Sequence, residues 1–279
     1  MAYSAEISRS NPSCFLFLID QSGSMADAFG AGETAKSKAA GVADSINRLL
    51  QNLVIKCAKS EGVRDYYYIG VIGYGATVGP AFSGPLAGKE LVPISEVASA
   101  PARVDDRQRK VDDGAGGVLE QSIKFPIWFE PVANGHTPMC QAIALAQKII
   151  KNWVDQHPTC FPPIVINITD GEATDGDPSQ SADSLRQIST TDGTALLFNL
   201  HISSQRAAPV EFPESDQNLP DDFARLLFRL SSELPEYMKN IAQQERKQIG
   251  ASAKGFVFNA DAVSVVSFLD IGTRASNLR

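Results

Sequence analysis

The sequence predicts an α/β protein: a doubly wound, mostly parallel central sheet flanked by helices, with an inserted segment near residues 86–132. Three observations predict it. Apolar runs of six to nine residues recur at Cys14–Ile19, Tyr66–Tyr74, Ile164–Thr169 and Thr194–Ile202, the length and make-up of strands covered on both faces. Segments with a helical apolar period fall between these runs. Two of the runs end in an aspartate, Asp20 and Asp170, followed by small residues. Open parallel sheets present their ligand-binding loops at such strand ends.

Taken in order, Cys14–Ile19 is the first buried strand and Gln21–Glu33, rich in Ser and Gly, is a loop. Ala35–Lys59 is helical, with Val42, Ile46, Leu49, Leu50, Leu53 and Cys57 on one stripe. Tyr66–Tyr74 is the second strand and Ala76–Phe82 a short third; the tyrosines 66–68 read as strand packing rather than a ligand platform. In the inserted segment, short strands are assigned at Leu91–Ile94 and Ile123–Phe129, and Arg103–Gly117 reads as an exposed loop. Thr137-Pro138 opens a helix, Thr as N-cap and Pro at the first turn, whose apolar stripe is Ala142, Ala146, Ile149, Ile150 and Trp153. Ile164–Thr169 is the third strong strand. After it come an acidic loop, a helix at Ser181–Ser189, the strand Thr194–Ile202 and a Pro-rich connection over Gln205–Asp221. Phe223–Leu230 and Glu236–Gln248 are helical, Gly255–Phe258 is a short strand, and Asp261–Leu269 is a final helix capped by Asp261.

The 279 residues are read as a single domain, with a core at about 13–270. A net charge of −7, with basic residues dispersed, argues against nucleic-acid binding. Arg103, Arg107, Arg109 and Lys110 are interleaved with Asp105, Asp106, Asp112 and Asp113, which makes a solvated, self-compensating stretch. No apolar run is long enough to cross a membrane and none resembles an export signal, so the expected location is cytoplasmic, without membrane association. Cys14, Cys57, Cys140 and Cys160 form no C-x-x-C pair and are expected to be buried thiols rather than disulfides or zinc ligands.

The chemistry concentrates at Asp20-Gln21-Ser22-Gly23-Ser24-Met25. Alternate residues of an extended loop point the same way, so Asp20, Ser22 and Ser24 can converge. One carboxylate and two hydroxyls make a hard-oxygen donor set suited to Mg²⁺ or Mn²⁺.

This D-x-S-x-S run after an apolar strand resembles the metal-ion-dependent adhesion site of von Willebrand factor A (vWA) domains, which have a Rossmann-like fold. Gly135-His136-Thr137-Pro138-Met139 matches the family's threonine loop, and Ile168-Thr169-Asp170-Gly171 its aspartate after the fourth strand. The resemblance spans about Cys14 to Leu269 and is similar to that of bacterial single-domain members of the tellurite-resistance type. It implies a metal held by Ser22 and Ser24 directly, by Thr137 directly or through water, and by Asp20 and Asp170 largely through water. The cation would be Mg²⁺, with Mn²⁺ or Ca²⁺ as alternatives, and an Asp or Glu carboxylate of a protein partner would complete its coordination. The resemblance further implies a non-enzymatic interaction module in signalling or stress response, linked to Ser/Thr kinase or phosphatase systems.

Two other readings stand beside it: a substrate-recruiting subunit of an AAA+ ATPase or chelatase assembly, and a metal-dependent hydrolase. Against the hydrolase, a haloacid-dehalogenase-type phosphatase needs a second Asp where Ser22 stands, and neither serine lies in G-x-S-x-G. His136 adjoins the site and reads as a local hydrogen-bonder rather than a base. Glu172, Asp175 and Asp177 read as a solvated rim that tunes selectivity, with a second cation site as the alternative.

Overall fold

A computed structural model describes residues 3–29, 36–112, 118–202, 209–245 and 247–273. In chain order the strands are β1 (Ser13–Asp20), β2 (Tyr67–Tyr74), β3 (Val78–Pro80), β4 (Val92–Pro93), β5 (Arg103–Asp112), β6 (Val118–Ile127), β7 (Ile164–Thr169), β8 (Leu196–Ile202), β9 (Val210–Glu211) and β10 (Phe256–Ala260). The helices are α1 (Lys38–Cys57), α2 (Ile94–Ser99), α3 (Met139–Gln156), α4 (Ser179–Arg186), α5 (Asp222–Leu230), α6 (Glu236–Gln244) and α7 (Ala262–Thr273). Three two-residue ladders and two short 3₁₀ turns complete the described structure.

The central sheet runs β9-β10-β8-β7-β1-β2-β3, with β4 also paired to β2. β10, β8, β7, β1 and β2 are mutually parallel, and β3, β4 and β9 add antiparallel edges. The chain starts in the middle of the sheet. It goes from β1 to β2 on one side, then crosses back to β7 on the other and continues outward through β8 and β10. The direction of winding therefore reverses between β1 and β7, and doubly wound sheets bind ligands at that switch point.

Both faces of the sheet are covered, which is why its strands are apolar at consecutive positions. Phe15, Phe17 and Ile19 of β1 join one core with Ile164, Ile166 and Ile168 of β7, under α1, α2, α6 and α7. Leu16 and Leu18 join the other core with Val165 and Leu197, under α3, α4 and α5. The whole apolar stripe expected for α1 is buried. That helix begins at Lys38 with Ser37 as its cap, the Ser37 Oγ accepting from Ala40 N at 3.2 Å. Asp261 caps α7 as expected, accepting from Ser264 N at 2.8 Å. Cys14, Cys57 and Cys160 are buried thiols, Cys140 is half-buried, and all four are free. Among the described residues no helix is long and apolar enough to cross a membrane.

The inserted segment corrects one expectation. Arg103–Asp112 is not a loop but one arm of an antiparallel hairpin, paired with Val118–Ile127 from Arg103↔Ile127 to Asp112↔Val118. Residues 113–117 lie outside those described. The hairpin was hidden in the sequence because it is largely solvated, so its pattern is charge alternation rather than apolar alternation. The charges do compensate one another: Lys124 pairs with Asp106 at 2.8 Å and Arg107 with Asp44 of α1 at 2.8 Å. Its base is apolar, with Phe125, Ile127, Trp128 and Phe129 buried and the Arg107 guanidinium 3.8 Å over the Phe125 ring.

Asn47, buried in α1, ties this base down. Its Oδ1 accepts from Trp128 N at 2.8 Å and Phe129 N at 3.1 Å, and its Nδ2 donates to Phe129 O at 2.8 Å. Truncation strands three buried backbone groups at once, so Asn47→Ala should lower unfolding free energy by roughly 2–4 kcal/mol. Urea unfolding measures this; a loss below about 1 kcal/mol would contradict the anchoring role.

Candidate metal centre

The switch point places Asp20 and Asp170 beside each other at the ends of adjacent strands. Ile19 of β1 registers with Ile168 of β7, so Asp20, the last residue of β1, and Asp170, the first after β7, emerge side by side. Asp20 is wholly buried and each of its oxygens has a donor. Oδ1 accepts from Ser22 N at 2.8 Å, and Oδ2 accepts from the Thr169 hydroxyl at 2.7 Å. Burial pushes the Asp20 carboxyl above the ordinary carboxylate value, opposed by those two donors and reinforced by the nearby Asp170 charge. The Asp170 carboxylate is also out of solvent. Its Oδ1 accepts from the Ser24 hydroxyl at 2.8 Å and its Oδ2 from the Lys38 ammonium at 2.8 Å.

Ser22 and Ser24 lie 3.1 Å apart through their hydroxyls, Ser22 buried and Ser24 exposed. Ser24 is thus the outward member of a short oxygen row: Ser22 Oγ, Ser24 Oγ, Asp170 Oδ1. Neighbouring oxygens around an octahedral Mg²⁺ are roughly 3.0 Å apart, given metal–oxygen distances of about 2.1 Å. The 3.1 Å between the Ser22 and Ser24 hydroxyls fits an edge of that figure, and Asp170 Oδ1 stands 2.8 Å behind Ser24 Oγ. The donor set of two carboxylates and neutral hydroxyls fits a hard divalent cation as well. Among the described residues no three His, Cys, Asp or Glu side chains converge on a metal position, so a cation here would depend on hydroxyl donors.

Thr137 is brought to the same place by its backbone. Its N accepts no role in the helix and instead donates to the Thr174 hydroxyl at 3.1 Å, while its carbonyl accepts from Thr174 N at 2.9 Å. The loop before it is fastened to the Ser22–Ser24 turn, with Gly23 N donating to Gly135 O at 3.1 Å and Asn134 N to Gln21 O at 2.6 Å. Two glycines permit this approach. Gly135 has φ +88°, and a Cβ there would sit 2.4 Å from Ala76 N; a Cβ on Gly75 would sit 2.6 Å from Asn134 O. The Thr137 Oγ1 lies 3.9 Å from where a Cβ on Gly171 would be, beside the loop that follows Asp170. All five residues singled out in the sequence (Asp20, Ser22, Ser24, Thr137 and Asp170) therefore lie on three loops tied together at one end of the sheet.

Two expectations about neighbouring residues change. Thr137 does not cap α3, which begins at Met139 without a side-chain cap of its own. Asp175 performs that job from the next loop, accepting from Cys140 N at 3.0 Å and Gln141 N at 2.9 Å. Asp177 accepts from the backbone and hydroxyl of Ser179 at the start of α4. The acidic loop is thus a pair of helix anchors rather than a uniform rim, with Glu172 exposed beside them. His136 is exposed and lines a cleft of about 400 Å³ with Gly75–Val78, Gln141 and Asp175.

Sequence reasoning passed over Lys38 and Thr169. Thr169 is the one polar side chain in the last buried stretch of β7 that reaches Asp20. Lys38 carried a signal: it stands four residues before Val42 and eight before Ile46, so it continues the buried stripe of α1 by one turn.

No protein-family model and no characterised protein matches the sequence. Solved structures similar to it include the ArnB paralog VWA2 from Sulfolobus acidocaldarius, at 15% identity over 72% of this chain and 37% of that one, with TM-score 0.39. The three N-terminal domains of the type V pili tip protein Mfa5 from Porphyromonas gingivalis match at 16% identity over 58% of this chain and 20% of theirs, TM-score 0.31. The vWF domain of Mfa5 alone gives 16% identity, 58% and 39% coverage, and TM-score 0.31. The chain spans less than two fifths of each of these. Likeness at this level bears on neither family nor partner, and the α/β architecture rests on the sheet order itself.

His201 gives the region a pH signature. It stands next to last in β8 opposite Thr169, stacks on Phe258 at a centroid distance of 4.6 Å, and accepts on Nδ1 from Asn259 N at 3.3 Å. Burial pulls its pKa from 6.5 down to about 4, against the opposing pull of Asp221 and Asp170. The folded value lies below the unfolded one, so only the unfolded chain gains a proton between about pH 6.5 and 4. Stability should be unaffected by this group above that window, fall by roughly 3 kcal/mol across it, and level off below. Urea unfolding in EDTA should show this loss, and His201→Gln should remove most of it; equal pH profiles for the two proteins would contradict the assignment.

Proposed function

We propose that this chain is a vWA-type binding module that holds a divalent cation at the β1–β7 switch point and, through it, a carboxylate of a protein partner. The observation that carries the reading is the row Ser22 Oγ, Ser24 Oγ, Asp170 Oδ1, at 3.1 and 2.8 Å spacing, on loops cross-tied to Thr137. Ser22, Ser24 and Thr137 would hold the ion, Mg²⁺ with Mn²⁺ or Ca²⁺ as substitutes, and Asp20 and Asp170 would supply its counter-charge. When bound, the cation supplies an electrophilic position for an incoming Asp or Glu. Asp20 is suited to the counter-charge role because both its oxygens are already fixed by Ser22 N and Thr169, so it orients without rearranging. Its upward-shifted pKa has the same sense: burial disfavours the naked carboxylate, and a cation nearby would favour it.

Binding fits this arrangement better than catalysis. The serines are engaged with each other and with Asp170, and the position two residues after Asp20, which a phosphatase would fill with an acid, holds Ser22.

Mn²⁺ titration followed by electron paramagnetic resonance tests the reading. The intact protein should bind one ion per chain, and Ser24→Ala and Thr137→Val should each weaken it by about tenfold or more, about 1.4 kcal/mol per tenfold. Far-ultraviolet circular dichroism should be unchanged, since Ser24 is exposed and Thr137 is held through its backbone. Capture of protein partners from source lysate should disappear with EDTA and with Ser24→Ala; affinity for Mn²⁺ indifferent to both substitutions would sink the proposal.

A further inference from the structure

Lys38 has no part in the reading above, yet it is one of the least expected side chains in the molecule. It is 5% exposed, and its Nζ lies 2.8 Å from Asp170 Oδ2 and 3.5 Å from Asp27 Oδ2. It occupies the first position of α1, where an ammonium opposes the helix dipole. Burying an ammonium is also unfavourable unless it is paired. Helix stability therefore does not account for Lys38; its charge is directed at Asp170.

A charge count shows the effect. Asp20 and Asp170 bring −2 to the centre and the hydroxyl residues bring nothing, so Lys38 leaves −1. Asp27 lies 3.5 Å from Lys38 but is 63% exposed, and an ion pair this open to solvent is weak, so it offsets Lys38 only slightly. A divalent cation entering this centre leaves it at +1, and a carboxylate then returns it to zero. Without Lys38 the cation alone would neutralise the centre and an added carboxylate would make it negative.

We infer that Lys38 shifts affinity from the cation to the partner carboxylate: it weakens the hold on the cation alone and strengthens the loaded centre's hold on the carboxylate. This rests on the metal-site reading above. The mutual tightening of cation and carboxylate comes from their own attraction and is reciprocal, while Lys38 sets their two separate affinities.

The experiment is Mn²⁺ titration of the intact chain, Lys38→Met and Lys38→Arg, each with and without acetate as the probe carboxylate. In the unaltered protein acetate should raise Mn²⁺ affinity several-fold. Lys38→Met should bind Mn²⁺ alone about tenfold tighter or more, since the positive charge paired with Asp170 has been removed, and the Mn²⁺-loaded variant should bind acetate more weakly than the loaded unaltered chain. Lys38→Arg should behave like the unaltered chain. The inference is overturned if Lys38→Met binds Mn²⁺ no more tightly while the unaltered protein binds it. If Lys38→Met does not fold, Lys38→Gln takes its place, and Mn²⁺ binding no tighter than in the unaltered protein overturns the inference in the same way. Failure of the unaltered protein to bind Mn²⁺ at all overturns the metal-site reading instead, and is distinguishable from both.

Discussion

Two carboxylates buried at the ends of adjacent parallel strands are the constraint around which this end of the molecule is organised. Each aspartate alone would be unfavourable out of water, and the Asp170 charge adds to the effect of burial in raising the Asp20 carboxyl. The fold meets this with fixed donors rather than solvent: Ser22 N and Thr169 for Asp20, Ser24 and Lys38 for Asp170. Those donors come from three separate segments, so the loop after β1, the end of β7 and the start of α1 must be held in register for the carboxylates to be tolerated. The electrostatic demand and the topology thus specify the same place, because the switch point is where two strand ends lie side by side with no crossover helix between them.

Rigidity follows from the same demand. The Ser22–Ser24 turn, the 134–137 loop and the 73–76 strand end exchange backbone hydrogen bonds at 2.6 to 3.1 Å, and Gly75 and Gly135 let their backbones meet. A cross-sheet chain supports them from below: Tyr74 donates to Asn167, Asn167 to Asn199, and Asn199 to Ser231, all buried. Four satisfied side chains in a dry core fix the relative positions of β2, β7, β8 and the end of α5 more narrowly than apolar packing would. A site preorganised in this way loses little freedom when a ligand arrives.

How far the sequence revealed all this depends on whether each residue's role was local. β1 and β7 were legible because strands covered on both faces are apolar throughout, and the aspartates were legible because they end those strands. Ser22, Ser24, Thr137 and Asp170 were legible as a spaced pattern. Asp175 was not, because capping α3 from a loop 35 residues away is a tertiary relation that leaves no mark near the helix start. The hairpin at 103–127 was missed for the opposite reason: its charges gave a strong local signal of exposure, which was correct, but exposure does not distinguish a loop from a solvated ladder. Its attachment through Asn47 could not be read from a polar residue within an amphipathic helix.

Lys38 joins these threads. Placed on the buried stripe of α1, it is where a leucine would stabilise the helix and the core without the desolvation that an ammonium suffers. Hydrophobic burial alone would not select it. What it offers is a counter-charge fixed on a helix, aimed at Asp170, and unable to leave the site as a free ion does. A buried lysine can be exchanged for neither solvent nor salt, so it sets the standing charge of the centre irrespective of the medium, whereas Asp27 at the rim is open to screening. The hydroxyl donors then have a reason to be neutral. With one aspartate already balanced by Lys38, a third carboxylate in place of Ser22 would add a charge that the surrounding donors are not arranged to hold, while a hydroxyl adds an oxygen and leaves the balance untouched.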